Sequence, residues 1–233
     1  MMNTIKTLLS VIIFCSLSTC VHAQTDRVSI KFAPLALIDE VSMPTIQGGV
    51  EFKLSKHFSW YNEVGIKYRK CVNERSDTPF VASNGYKIKS ELRYYFSDTK
   101  AGLFNEPVGG FYVGGNLFLI NDNHNTKITY YPNKDSSNPK QDAFGVHKKV
   151  LGLNLIGGFQ HSVYKNFLID VYAGIGVRMR MVTNENKEFN KDQDSLEQPV
   201  DFAVLSIRDY VDAAGGKSVV PSITAGVRLC YRF

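Results

Sequence analysis

The chain has 233 residues, of which 44% are hydrophobic and 21% charged, with a net charge of +5. One domain is expected at this length. The weak, dispersed positive charge excludes a nucleic-acid partner, and beyond the N-terminal segment no apolar run is long enough for a transmembrane helix.

In chain order, the first 23 residues read as an export signal. Lys6 supplies the positive start, residues 8–17 an apolar core, and Val21-His22-Ala23 the small-residue approach to cleavage before Gln24. The apolar core is shorter than the roughly 20 residues a membrane anchor needs. Cys20 follows Leu17-Ser18-Thr19, but Thr before the cysteine fits a lipidation box poorly. The expected organisation is therefore a signal peptide over 1–23 and one domain over 24–233. Cys71 and Cys230 remain after the leader, at opposite ends of the expected fold and too far apart to bridge. Neither CxxC pairs nor zinc-like Cys/His clusters occur, and no cofactor is implied.

Eight strands are then predicted from alternation, which places successive side chains on opposite faces. The first, near 28–37, is interrupted by Pro34 and is the least regular. The second sets Ile46, Val50, Phe52 and Leu54 against Gln47, Gly49, Glu51 and Lys53. The third opposes Trp60, Val64, Ile66 and Tyr68 to Tyr61, Glu63, Gly65, Lys67 and Arg69. The fourth opposes Tyr86, Ile88, Leu92, Tyr94 and Phe96 to Lys87, Lys89, Glu91, Arg93 and Tyr95. The fifth and sixth put Phe111, Val113, Leu117, Leu119, Leu151, Leu153, Leu155 and Phe159 in the apolar row, and Tyr112, Asn116, Asn154 and Gln160 in the polar one. The seventh sets Ile169, Val171, Ile175, Val177 and Met179 against Asp170, Tyr172, Arg178 and Arg180. The eighth sets Ile223, Val227, Leu229, Tyr231 and Phe233 against Ser222, Thr224, Arg228, Cys230 and Arg232. Short links at 55–57 and 165–166 alternate with long ones at 71–84, 121–148 and 182–216. Short turns on one side and long loops on the other are the outer-membrane arrangement.

A soluble ligand-binding barrel also has two rows, with the apolar one inside. Glycine separates the two cases. The polar row holds Gly49, Gly65, Gly114, Gly152, Gly158, Gly174, Gly176 and Gly226, whereas the apolar row holds Gly48, Gly115 and Gly157. The interior of an eight-stranded barrel is only wide enough for side chains to fill, so long charged residues there need small neighbours. A solvent-facing row has no such need. The polar row also carries both signs: Glu51, Glu63, Glu91 and Asp170 with Lys53, Lys67, Arg69, Lys87, Lys89, Arg93, Arg178, Arg180, Arg228 and Arg232. Buried charges must be paired or solvated, so these residues are expected to form a lumenal charge network, with Glu63 meeting Lys53 or Arg93 and Asp170 meeting Arg232. Aromatics near the ends of the apolar row suit membrane interfaces.

The final Val227-Arg-Leu-Cys-Tyr-Arg-Phe233 resembles the C-terminal signature of Gram-negative outer-membrane barrels. In those proteins such a strand is read by the barrel-assembly machinery, which would make Val227, Leu229, Tyr231 and Phe233 an assembly signal here. As architecture, 27–233 is similar to the small OmpA/OmpX-like barrels, and 44–54 resembles a strand common in uncharacterised outer-membrane β-barrel families. The resemblance implies an all-β, eight-stranded antiparallel transmembrane up-and-down barrel with short periplasmic turns and long extracellular loops. It also implies an outer-membrane location among lipid and lipopolysaccharide. It does not give an activity.

Candidate chemistry is sparse. His161-Ser162 lies beside the short 165–166 turn, on the wrong side for lipid A chemistry. His124 and His147, near Asp122 and Ser136, show no nucleophile–base order and read as polar loop residues. Asn190, Asp192, Asp194 and Asp201 have EF-hand-like spacing, but Ser195 stands where glycine is needed and Asp201 where Glu is. The acidic stretch 185–212 can bridge weakly through divalent cations to lipopolysaccharide phosphates, and the apolar piece 202–207 can extend strands or meet a partner. The expected function is non-enzymatic: a packed charged lumen, with structural, adhesive or envelope-interaction roles carried by the loops. The rivals are an outer-membrane lipid-modifying enzyme, a soluble periplasmic ligand-binding barrel and, least, a narrow porin-like pore.

Overall fold

A computed structural model describes residues 28–39, 42–70, 80–96, 110–196 and 212–233. Its strands are β1 (Val28–Phe32), β2 (Thr45–Lys53), β3 (Phe58–Lys67), β4 (Asn84–Tyr95), β5 (Gly110–Tyr131), β6 (Lys140–Tyr164), β7 (Phe167–Glu185), β8 (Ser195–Leu196) and β9 (Gly216–Arg232). All pairings are antiparallel. The order β4-β3-β2-β1-β9-β7-β6-β5 is completed by pairing of β4 with β5, so eight strands close a ring. The two-residue β8 adds a ninth strand at the far end of β5. Among the described residues no helix is long and apolar enough to cross a membrane, which says nothing about strands.

Alternation sorts the side chains cleanly. On β3, Ser59, Tyr61 and Glu63 are buried, while Phe58, Trp60, Val64 and Ile66 are exposed. On β9, Ser222, Arg228 and Cys230 are buried, and Val219, Ile223, Leu229 and Tyr231 are exposed. The charged row thus lines the inside of the ring and the apolar row its outside.

Glycine makes the interior possible. A Cβ on Gly158 would run into the Tyr112 ring, and one on Gly226 into Tyr172. On Gly152 it would meet Phe118. On the outward row, Gly115 has open space around it, and Gly157 has nothing nearer than the Tyr112 carbonyl oxygen at 4.0 Å.

Three expectations need correction. The segment 121–148 is not a long loop: β5 and β6 continue as a paired hairpin to Tyr130↔Lys140. Ile128, Tyr130, Phe144 and Val146 pack with Val182, Phe189 and Ala213 in a small core beyond the apolar band, which supplies the burial the extension needs. Asp122, His124 and Asp142 interrupt the hydrophobic alternation there and hide the strand from a pattern search. The first strand is only five residues long, because Pro34 opens a 3-10 turn over Pro34–Ile38. Within 182–216, β7 runs on to Glu185 and β8 interrupts the loop. Cys71, Asp201 and the 202–207 piece lie outside the described residues, whereas Cys230 is free and buried.

Candidate functional site

The chemistry-bearing residues of this chain converge inside the ring, in two tiers. In the first, four acids meet four cations. Lys31 lies 2.7 Å from Glu51 and 2.8 Å from Asp170. Arg93 reaches Asp170 at 2.9 Å and Glu51 at 3.4 Å, and also pairs with Glu91. Arg228 contacts Glu63 at 2.9 Å, Glu91 at 2.6 Å and Asp170 at 3.7 Å, while Lys89 holds Glu63 at 2.9 Å. Tyrosines fill the remaining space. Tyr112 donates to Asp170 and Tyr95 to Glu51, both at 2.8 Å, and Tyr61 donates to Glu63. The Arg93 guanidinium stacks between Tyr61 and Tyr112, and that of Arg228 between Tyr61 and Tyr172.

Two expected pairings are replaced. Glu63 meets Lys89 and Arg228 rather than Lys53 or Arg93, and Asp170 meets Lys31, Arg93 and Arg228 rather than Arg232. The β7–β9 register sets Asp170 directly opposite Arg228, and the interior is narrow enough for side chains of β1 and β4 to cross it to β7. Arg232 instead pairs in register with Ser29 on β1. Lys53 is half-buried at the short-turn end of β2. Arg69 lies past β3, over the Tyr68 ring. Lys31, a hub of this tier, escapes the sequence reading because Pro34 breaks the short alternation Ser29–Lys31 that would reveal it.

The second tier lies toward the long-loop end. Lys67 pairs with Asp122 and Lys148 with Asp212, both at 2.8 Å. Between the two carboxylates sits buried His124, its Nδ1 3.2 Å from Asp122 and its Nε2 3.2 Å from Asp212. Burial works against the imidazolium, but the two carboxylates outweigh it and hold the His124 pKa above its ordinary value. Burial also opposes the Asp212 carboxylate, yet Lys148 and His124 bring its pKa down to about 2. His124 is therefore not the polar loop residue that its surroundings in the sequence suggest. With a carboxylate at each ring nitrogen, neither is left to take a proton from a nucleophile.

Connecting segments at the same end are held in place by polar side chains. Lys87 donates to Asp39 and to the Met43 carbonyl. Asn125 accepts the amides of Phe80 and Val81. Asn184 and Lys187 hold the carbonyl of Ala213, and Asp142 accepts the amides of Glu188 and Phe189.

Other candidates sit apart from these tiers. Half-exposed His147 contacts Asn123 and Glu185 on the outward face. His161 stacks on Phe159 near the short-turn end, and Ser162 donates to the Lys165 carbonyl. Asp194 accepts the amides of Asn133 and Asn190, so this part of the acidic stretch forms a turn. Arg178 and Arg180 face inward from β7 without an ion pair among the described residues. Val227, Leu229 and Tyr231 face outward on β9, with Tyr231 edge-on to Phe167 and Phe233. Among the described residues no three His, Cys, Asp or Glu are arranged to hold a metal ion.

No curated protein and no solved structure matches this chain. The sequence profile of a family described as protein of unknown function (DUF3575) matches residues 9–198, and the chain belongs to that family.

Proposed function

We propose that the protein is an exported outer-membrane β-barrel of the eight-stranded, OmpA/OmpX-like kind. In this reading it neither catalyses nor conducts, and it acts structurally or by recognition through the structures at its long-loop end. One observation carries the membrane reading: the band of exposed apolar side chains that runs round every strand of the ring. It includes Ile30 on β1, Ile46 on β2, Val64 and Ile66 on β3, Ile88 and Leu92 on β4, and Val113 and Leu117 on β5. It continues through Leu153 and Leu155, Ile175 and Val177, and Ile223 and Leu229. Leu155, Ile175 and Ile223 are 74%, 69% and 82% exposed. Soluble monomers rarely expose an apolar patch beyond about 600 Å², and a soluble barrel would turn these residues inward. On β5 the band spans 111–119, close to the 9–11 residues of a membrane-crossing strand.

The non-conducting part of the reading rests on the two ionic tiers and on the segments held at the long-loop end. The part against catalysis rests on His124, whose two nitrogens both face acids. Beyond the band, β5 and β6 project a paired hairpin with its own core, a firm platform for recognition outside the lipid headgroups.

Cell fractionation tests the proposal. We expect the protein in the detergent-extracted outer membrane, with gel mobility that changes on heating, and the purified protein to give no conductance steps in planar bilayers. Recovery in osmotic-shock fluid would overturn the membrane reading. Stable conductance would overturn the occluded lumen, and altered lipid A on overexpression would favour the enzyme.

A further inference from the structure

Five buried side-chain polar atoms lack a hydrogen-bond partner among the described residues, and three of them lie together: Nε of Arg178, Nε of Arg180 and Oδ1 of Asn154. Arg178 and Arg180 are consecutive inward residues of β7. Asn154 on β6 stands opposite Gly176, diagonal to Arg178. The side chains opposite the arginines are Gly152 and Val150 on β6 and Val220 and Ser218 on β9, none of them acidic. The lumenal cations whose side chains are buried each have a carboxylate within 4 Å: Lys31, Arg93 and Arg228 in the first tier, Lys67 in the second. Two like charges side by side in a walled interior, with no counter-charge, are costly unless something neutralises them.

We propose that Arg178 and Arg180 form an internal oxyanion site, between the two ionic tiers, that takes a small free anion of the phosphate class. A guanidinium presents a planar fork of donors that matches such an oxyanion, and two of them neutralise its charge. Both arginines are only half-buried, although their Nε atoms are buried, so the rest of each guanidinium stays open to a small ligand. The Asn154 amide is placed to complete the site, because turning it by 180° presents its NH2 where the unpaired Oδ1 now stands. The site goes beyond the barrel reading and depends only on the closed ring.

The test uses the full mature chain in a lipid-free non-ionic detergent, with inorganic phosphate as the probe and chloride as the control at equal ionic strength. We expect phosphate to raise the melting temperature saturably and to give a binding isotherm by calorimetry. Arg178→Gln and Arg180→Gln should each weaken that isotherm about tenfold, the scale of one charge-assisted hydrogen bond. The double variant should lose the response while keeping heat-modifiable mobility. Lys149→Gln with Lys217→Gln, at exposed positions just beyond the apolar band, should leave the response intact.

Three results overturn the site: no phosphate response in the parent, a response lost with the lysines rather than the arginines, or a response that appears only with vesicles of anionic phospholipid. The last would make the ligand a headgroup. Loss of heat-modifiable mobility in the parent would count against the barrel reading instead and leave the phosphate result to be read separately.

Discussion

At the residue scale, the inward face around Tyr112 leaves almost no room, and neighbouring glycines test this directly. Gly158→Ala would drive a methyl group into Tyr112, whose hydroxyl is held by Asp170, whereas Gly157→Ala points outward into free space. We expect Gly158→Ala to lower the unfolding temperature in detergent, at a cost of about 1–3 kcal/mol from overpacking, with Gly157→Ala close to the parent. The ionic hub gives a second test. Asp170 faces Lys31, Arg93 and Arg228, so Asp170→Leu leaves buried cations short of a counter-charge and should cost about 3–5 kcal/mol in a denaturant melt. An unchanged midpoint would mean that water solvates this tier.

The inward placement of Glu51, Glu63, Glu91, Arg93, Asp170 and Arg228 was legible from period-two alternation together with the glycines that share their row. Their partners were not legible. Pairing across a lumen depends on register and on how far a side chain reaches over the ring, and neither is written in a single strand.

At the scale of elements, the β5–β6 hairpin and the segment it pins respond to pH through His124. Its pKa is raised in the folded protein, so the folded state holds this proton more tightly than the unfolded one does. That contribution is fully present below the ordinary histidine value of about 6.5 and is lost as pH rises through the raised value. Asp212 has the opposite sign, contributing above about 3.9 and losing that contribution as pH falls toward 2. We expect the amide protection factors of the outer half of the hairpin, corrected for intrinsic exchange, to fall as pH rises through that raised value, and His124→Gln to flatten that dependence.

The small core beneath supplies a companion prediction. Phe144→Ala removes a fully buried ring, at a cost of about 3–5 kcal/mol. Protection should fall in 121–131 and 140–149 while the rest of the ring persists. This extension escaped the sequence reading because Asp122, His124 and Asp142, each buried on a partner that only the fold supplies, look like loop residues in a linear pattern.

For the whole molecule, the apolar band and the ionic interior are the two faces of one closed sheet, and substitutions should sort by face. An arginine at the bilayer midplane on the lipid face costs about 2–4 kcal/mol. In the barrel reading, Val177→Arg should therefore block assembly and reduce the amount recovered in the outer membrane. Asn154→Ser, on the inward row, should assemble. Equal recovery of both variants would count against the membrane reading.

The strand that closes the ring is also its shortest. β1 offers five residues, four of which pair with β9, across nearly the whole length of the chain. Contacts so distant in sequence are expected to form after the local hairpins of β5, β6, β7 and β9. Lys31 sits on that strand and reaches Glu51 and Asp170, on opposite sides of the seam. Until β1 docks, Asp170 has no lysine beside it and the interior stands open along one edge. When it docks, the last row of backbone hydrogen bonds and the last buried cation arrive together. Seam closure and charge balance are thus coupled through one residue: a chain whose seam is unzipped is also a chain whose interior charge is out of balance, because Lys31 belongs to both.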